Sequence, residues 1–144
     1  MIFSPADPDF EARVRASFAL QTMMSTLGAE MIHVAPGEID LAMFPQPQFT
    51  QQNGFIHAGA VASIMDSACG YAAMSLMPAE VDALTVEFKI NLLRPAQGMR
   101  LIALGRLIKA GKTLTVCEGR CVAETDSGEK LIATMTNTVM TIRD

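Results

Sequence analysis

The spacing of apolar residues along the chain predicts two helices of different character. Apolar positions recur at helical intervals over about residues 8–26, and Gly28 is the expected stop of this N-terminal helix. A second, longer helix is expected over 57–77, ended by Pro78. It is apolar on all sides, so it has to be buried completely.

Alternating apolar and polar residues, together with β-rich runs, predict strands elsewhere in the chain. Two short strands fall at 31–34 and 38–44, and Pro36-Gly37 between them predicts a hairpin turn. Four β-rich runs follow the long helix, and the turn sequences that separate them have hairpin lengths. They are expected to form an antiparallel meander over 84–93, 99–109, 113–123 and 130–142.

An antiparallel sheet curled around the long helix buries all faces of that helix, which predicts an α+β fold. No break in composition indicates a second domain. We therefore expect one domain over 1–144, with the N-terminal helix at about 8–26 and the core at about 28–142.

The composition narrows the class of protein. Half of the 144 residues are hydrophobic, which excludes intrinsic disorder, and the net charge of −4 argues against nucleic acid as a partner. Residues 58–77 have the length of a membrane span, but Asp66 lies near their middle and no basic flank anchors them. No membrane association is expected.

Two further features indicate a cytoplasmic protein. The N-terminus lacks a basic segment followed by an apolar one, so no signal peptide is predicted. The three cysteines are expected to be buried free thiols of a reducing compartment, since their number is odd and no second pair completes a metal site. No metal is expected.

Asp66 is the only charged side chain between Pro45 and Ala79. A lone carboxylate in an apolar helix is costly unless it is partnered or serves function. Two interpretations follow: a structural aspartate bonded to a neighbouring hydroxyl such as Ser63 or Ser67, or a functional carboxylate.

Basic residues dominate the segment 88–117, which contains no acidic one. Solvated strand edges explain such an excess, because lysine there prevents edge-to-edge pairing. The alternative is a site for a phosphate-bearing ligand, since Arg and Lys bind phosphates through charge-assisted hydrogen bonds. The residues are Lys89, Arg94, Arg100, Arg106, Lys109 and Lys112.

The start of the long helix, Asn53-Gly54-Phe55-Ile56-His57-Ala58-Gly59-Ala60, offers free backbone N–H groups beside small residues. Together with the helix dipole these groups favour negative charge, so a thioester carbonyl placed there would be polarised.

These residues resemble the PaaI-like acyl-CoA thioesterases of hotdog fold, within the 4-hydroxybenzoyl-CoA thioesterase-like superfamily. The family pattern is Asn-Gly-x-x-His-(Gly/Ala)-Gly with an aspartate further along the same helix, and the resemblance covers roughly 36–142. It implies a long central helix wrapped by a curved antiparallel sheet. It also implies homodimers joined edge to edge, commonly paired into homotetramers, with active sites between two subunits.

The resemblance assigns catalytic roles residue by residue. Asp66 corresponds to the carboxylate that acts as general base or nucleophile. The Ala58 N–H would bind the thioester oxygen, Gly59 would keep that approach open, and His57 would position the loop or the acyl carbonyl. Thr85 corresponds to a Ser/Thr on the partner subunit that helps to hold the water.

Binding roles follow in the same way. The active-site amide is Gln51, Gln52 or Asn53, because relatives place it at different distances before the histidine. Coenzyme A is the expected ligand of the strand ends and turns, and no cofactor beyond this part of the substrate is expected. The corresponding residues are Arg94, Pro95, Lys109, Gly111, Lys112 and Thr113.

The expected activity is hydrolysis of an aliphatic or aryl (phenylacetyl-type) acyl-CoA to free acid and CoA. One alternative is a non-catalytic acyl-CoA or fatty-acyl binding protein of the same fold. A hotdog dehydratase or hydratase is a second alternative, but the His-Phe-Pro and Asp-x-Asn-Pro-x-His signatures of those enzymes are absent.

Overall fold

The computed structural model describes residues 2–143, which form three α-helices, one short 3-10 helix and six strands. The helices are α1 Phe10–Ala19, α2 Thr22–Leu27 and α3 Ala58–Met74, and the 3-10 helix is Pro47–Phe49. The strands are β1 Glu30–Ala35, β2 Glu38–Met43, β3 Asp82–Leu92, β4 Arg100–Lys109, β5 Leu114–Thr125 and β6 Gly128–Ile142.

All six strands form one antiparallel sheet in the order β1-β2-β4-β5-β6-β3. The predicted hairpin is confirmed, since Ala35 pairs with Glu38 and Gly37 has a φ of 77°. The predicted four-stranded meander is wrong for β3, which lies beyond β6, while β4 pairs with β2. Turn sequences define the loops but do not specify which sheet edge a strand joins.

The central helix α3 packs against the sheet across β2 to β6. Two glycines that face each other across the strands, Gly105 and Gly119, allow this close approach. A Cβ at Gly105 would overlap the Ala68 carbonyl, and one at Gly119 would lie 3.1 Å from Cys69 Sγ. The small residues of α3 therefore pack directly against the two glycines of the sheet. The predicted fold, a central helix wrapped by an antiparallel sheet, is confirmed.

The N-terminal segment forms two helices rather than the single helix predicted over 8–26. The helical pattern breaks at Leu20 and Gln21, where Gln21 takes extended backbone angles before α2 begins. Gly28 ends α2 in the left-handed conformation, as expected. The break places Gln21 over α3, where its side chain contacts Ser67 and Tyr71.

Strand β3 is a sheet edge that exposes apolar side chains, among them Val86, Phe88 and Leu92. Natural proteins rarely leave a long apolar edge strand uncovered, because it is a template for pairing with another chain.

In the part of the chain that the structure describes, no helix is long and apolar enough to cross a membrane.

Candidate active site

Asp66 lies in the middle of α3 and is partly buried. Its Oδ1 accepts hydrogen bonds from Thr85 Oγ1 at 2.7 Å and from Asn137 Nδ2 at 2.9 Å. Among the described residues no donor reaches Oδ2. Two donors on one oxygen hold the carboxylate in a single orientation and leave the other oxygen available for chemistry.

The strand β3 presents Thr85 to Asp66 from the same chain. The register of β3 against β6 shifts between Thr85 and Glu87, so both Thr85 and Phe88 pair with inward-facing residues of β6. Such bulges commonly re-aim side chains beside active sites. Thr85 and the Asp66 carboxylate therefore meet within one chain. The expectation that Thr85 helps to hold the water stays a prediction.

Asn137 is a site residue that the sequence reasoning missed. It is 1% exposed on β6 and lies between the buried apolar residues Met135 and Val139 on the same face. Its Oδ1 has no hydrogen-bond partner among the described residues. A polar residue in an inward-facing apolar series was the available signal, since burying an amide is costly unless it binds something.

The second group of predicted residues gathers at the start of α3. His57 is the N-cap, and its Nδ1 accepts the Gly59 N–H at 2.7 Å. A Cβ on Gly59 would lie 2.9 Å from that nitrogen. This glycine therefore makes room for the imidazole, and its own N–H is occupied.

The Ala58 N–H remains the free donor at this helix start, because no hydrogen bond among residues 2–143 uses it. Ala58 is exposed, and as the first helical residue it has no partner one turn earlier. The helix dipole adds to its attraction for a developing negative charge. The geometry thus leaves the Ala58 N–H available for the predicted oxyanion-binding role.

A cavity of about 490 Å³ opens at this helix start, and Gln51, Gln52, His57 and Ala58 all line it. Gln51 Oε1 accepts the backbone N–H groups of Asn53 and Phe55, at 2.6 and 3.3 Å. Among the described residues, no hydrogen bond uses the Gln51 amide nitrogen. Asn53 does not line this cavity, whereas Gln51 and Gln52 do.

Asp66 and Ala58 do not form one site within one chain. Eight residues of α3 separate them, which at 1.5 Å per residue is about 12 Å along the helix axis. A separate cavity, also of about 490 Å³, lies beside Asp66 and Thr85. The chain therefore presents two half-sites, one at the helix start and one at the carboxylate.

The basic residues predicted to bind coenzyme A are also divided. Arg94 and Pro95 line the cavity at the helix start, and Arg94 donates to the Leu131 carbonyl at 2.8 Å. Lys109 and Lys112 lie at the far end of β4, roughly 30 Å away at 3.3 Å per strand residue. One chain does not bring Arg94 together with these two lysines.

Packing and hydrogen bonding within the turn after β4 account for Gly111 and Thr113. A Cβ on Gly111 would overlap the Leu114 carbonyl, so glycine is required there without any ligand. The Thr113 carbonyl accepts the Thr141 N–H at 2.8 Å, which ties the turn to β6. Both residues shape the turn that carries Lys112.

The cysteines are buried free thiols, as expected. Removal from water raises the pKa of Cys117 and Cys121 to about 12 and also raises that of Cys69. Such thiols are poor nucleophiles at neutral pH. Within the described residues, no three His, Cys, Asp or Glu side chains come together as a metal site would need.

Similar proteins identify the class to which this fold and these half-sites belong. A family model described as thioesterase superfamily matches residues 53–129, which include the helix start, Asp66 and Thr85. A presumed esterase of Halobacterium salinarum is 30% identical over 112 residues, covering 74% of each chain. The chain belongs to the thioesterase superfamily, and its activity is thioester hydrolysis.

Solved structures agree with this assignment. A thioesterase family protein from Silicibacter pomeroyi is 47% identical, with a TM-score of 0.92 over 94% of this chain and 99% of that chain. The PaaI protein from the phenylacetic acid degradation operon of Escherichia coli is 21% identical, with a TM-score of 0.83 over 93% and 94%. The likeness to PaaI shows the shared fold, which is a PaaI-like hotdog.

Proposed function

We propose that the protein hydrolyses acyl-CoA thioesters, with an aliphatic or aryl acyl group, and that Asp66 supplies the reacting carboxylate. The observation that carries this proposal is the carboxylate held through Oδ1 by Thr85 and Asn137, with Oδ2 left free beside a cavity. That oxygen acts on water as a general base, or on the thioester carbon as a nucleophile.

The carbonyl oxygen of the thioester would sit on the Ala58 N–H. Negative charge develops on that oxygen as the tetrahedral intermediate forms, and a fixed donor at a helix start stabilises it. The sulfur leaves as the thiol of coenzyme A when the carbon–sulfur bond breaks. His57 positions this donor by capping the helix.

A dimer formed through β3 would join the two half-sites. In an antiparallel two-fold pairing of the edge strands, the end of one β3 lies beside the start of the other. The helix start adjoins the end of β3 through Leu92 and Arg94, whereas Asp66 adjoins its beginning through Thr85. Each complete site would then take its donor from one subunit and its carboxylate from the other.

The charges along β3 support this pairing. A two-fold axis at Phe88 would set Glu87 opposite Lys89 of the partner subunit, and Asp82 opposite Arg94 of the partner subunit. Opposite charges facing each other across paired strands are favourable. The exposed apolar side chains of β3 would be covered at the same time. Two such dimers would form the homotetramer that the family resemblance implies.

The same dimer would unite the basic residues. The turn that carries Lys109 and Lys112 lies beside the beginning of β3, since Arg143 bonds to the Lys112 carbonyl and Asp82 pairs with Ile142. Arg94 at the end of the opposite β3 would therefore approach that turn of the partner. Together they would offer several donors to the phosphates of coenzyme A.

A subunit-mixing experiment tests the reaction and the split site together. Asp66→Asn should lower turnover of an acyl-CoA at least about 100-fold by removing the base or nucleophile. Ala58→Pro should lower it by about 100- to 1000-fold by deleting only the N–H. Proline is tolerated at the first helical position, and the His57 angles, φ −59° and ψ 138°, suit a residue before proline.

When the two variants are unfolded and refolded together, each mixed dimer should contain one site with both native groups. Activity should then return to about a quarter of the wild-type value, as for a two-fold dimer of equal subunits. Asp66→Asn refolded with the double variant Ala58→Pro/Asp66→Asn is the control and should stay inactive. No recovery in the first mixture contradicts the shared site, and an active Asp66→Asn homodimer contradicts the role of Asp66.

A further inference from the structure

The cavity beside Asp66 has a wall made by the N-terminal helices. Gln21 and Ser17 approach it from this segment, and Ser67 and Tyr71 approach it from α3. Apolar side chains, including those of Leu20, Met74, Ala83, Leu84 and Val139, form much of the remaining surface. The N-terminal segment lies outside residues 53–129, so the part that the thioesterase family model matches does not include this wall.

A hydrogen-bond network centred on Gln21 joins this wall to Ser67 and Tyr71 of α3. The side-chain Oε1 of Gln21 accepts from Ser67 Oγ at 3.2 Å, and the side-chain Nε2 of Gln21 donates to the Tyr71 hydroxyl at 3.0 Å. The Tyr71 hydroxyl lies 3.2 Å from Ser17 Oγ. Ser67 and Tyr71 thus hold the two polar atoms of the Gln21 side-chain amide at the cavity.

The network has capacity left for a ligand. The Gln21 amide has two N–H groups, and the contact with Tyr71 uses one of them. Each hydroxyl has two lone pairs, so Ser17 and Ser67 can also accept. A ligand group that both donates and accepts, such as a hydroxyl, matches this wall better than a methyl group does.

The negative charge at the cavity disfavours a carboxylate at the end of the acyl group. Asp66 lines the cavity, and its carboxylate is bonded only to the neutral donors Thr85 and Asn137. A carboxylate at the end of the acyl group would enter a site that already holds this negative charge. Repulsion would weaken its binding. The cavity therefore suits a neutral polar group.

We propose that Gln21 is a specificity-determining residue, which favours acyl groups that carry a neutral hydroxyl distant from the thioester. This inference rests on the proposed function, because it places the acyl group in the cavity beside Asp66. Tyr71 follows Asp66 by five residues on α3, about 7.5 Å along the axis. The hydroxyl would thus lie several carbon atoms beyond the thioester carbon.

The test uses pairs of acyl-CoAs that differ only in the terminal group. Each ω-hydroxyacyl-CoA of five to eight carbons is compared with the unbranched acyl-CoA one carbon longer, so that a methyl replaces the hydroxyl. The ω-carboxyacyl-CoA of each length is the third probe. The ratio of kcat/KM within each pair is measured for wild type, Gln21→Met and Tyr71→Phe, with the exposed Gln48→Met as the matched control.

For at least one chain length, Gln21→Met should lower the hydroxyl-to-methyl ratio about three- to ten-fold, as expected for one lost neutral hydrogen bond. Tyr71→Phe should lower it in the same direction, Gln48→Met should leave it unchanged, and the ω-carboxyacyl-CoA should be the poorest substrate. An unchanged ratio in Gln21→Met at every length, or an equal loss on both members of each pair, overturns the inference. Failure of the wild type to hydrolyse any acyl-CoA would instead contradict the proposed function.

Discussion

The His57 ring accepts the Gly59 N–H through Nδ1, so that nitrogen carries a lone pair and the ring proton lies on Nε2. This is the arrangement of a helix cap, and it occupies the atom that a general base would need. At the residue scale, capping of the helix explains why a glycine follows two residues after this histidine. Gly59 leaves space for the imidazole, and the imidazole leaves the Ala58 N–H as the free donor.

The cap predicts different results for two substitutions of His57. His57→Ala should lower the free energy of unfolding by about 1 kcal/mol, because the Gly59 N–H loses its acceptor. His57→Asn should restore most of that stability and keep thioesterase activity within a few-fold of wild type, since asparagine is a good N-cap residue. Urea denaturation and steady-state kinetics measure both; an inactive but stable His57→Asn would refute a purely capping role.

Asp66 shows how a residue recognised from charge alone gains its meaning from contacts. The suggested structural partners Ser63 and Ser67 do not bond to it, since they donate to the Gly59 carbonyl and to Gln21. Its donors are Thr85 and Asn137, which lie 19 and 71 residues away in sequence. Both come from strands whose mutual pairing is set by tertiary structure.

At the scale of elements, α1 is attached to the end of α3. The Arg13 guanidinium donates to the carbonyls of Met74, Met77 and Pro78 at 3.0, 2.7 and 2.7 Å, where α3 has no further turn to satisfy them. Asp7, only 8% exposed, lies 3.1 Å from Arg13 Nε. This attachment holds Ser17 and Gln21 over the cavity beside Asp66.

Loss of the attachment should therefore be costly. Arg13→Ala removes the contacts to three carbonyls and leaves a nearly buried carboxylate without its cation, so we expect a loss of about 2–4 kcal/mol in the free energy of unfolding. Arg15→Ala is the control, because its exposed pair with Glu11 contributes less than about 0.5 kcal/mol. Denaturant midpoints check this, and similar losses for both variants would contradict the role of Arg13.

The whole molecule buries its three thiols where α3 meets the sheet, with Cys69 on the helix and Cys117 and Cys121 on β5. Burial disfavours the thiolate and raises each pKa. A raised pKa of an acid in the folded state means that its stabilising contribution is complete below the unfolded pKa. It is then lost as the pH rises from that value, near 9, toward the folded pKa.

We therefore expect the free energy of unfolding to fall between pH 9 and pH 12, because the unfolded chain releases thiol protons that the folded chain retains. Each buried thiol contributes about 1.4 kcal/mol per pH unit in that window. The double variant Cys117→Ala/Cys121→Ala should be less stable at pH 8 but lose less stability on further alkalinisation. Denaturation curves at successive pH values measure the difference; parallel pH profiles would contradict it.

Local sequence determined the elements and the most conspicuous site residue. Periodicity identifies α3 and the strands because side-chain direction follows from helix and strand geometry, and Pro36-Gly37 specifies its turn by backbone preference alone. Asp66 is recognised from sequence because it is a single charge in an apolar helix, where an unpartnered carboxylate is costly. These signals act between near neighbours in sequence, so they survive without knowledge of the fold.

Tertiary structure alone decided which of those residues meet. Strand β3 pairs with β6 rather than β4, and only this order brings Thr85 and Asn137 to Asp66. The separation of the helix start from the carboxylate follows instead from helix rise, and that of Arg94 from Lys109 from the length of β4. Strand order depends on which sheet edges are free to pair and how closely the helix can pack, and neither is encoded in local spacing.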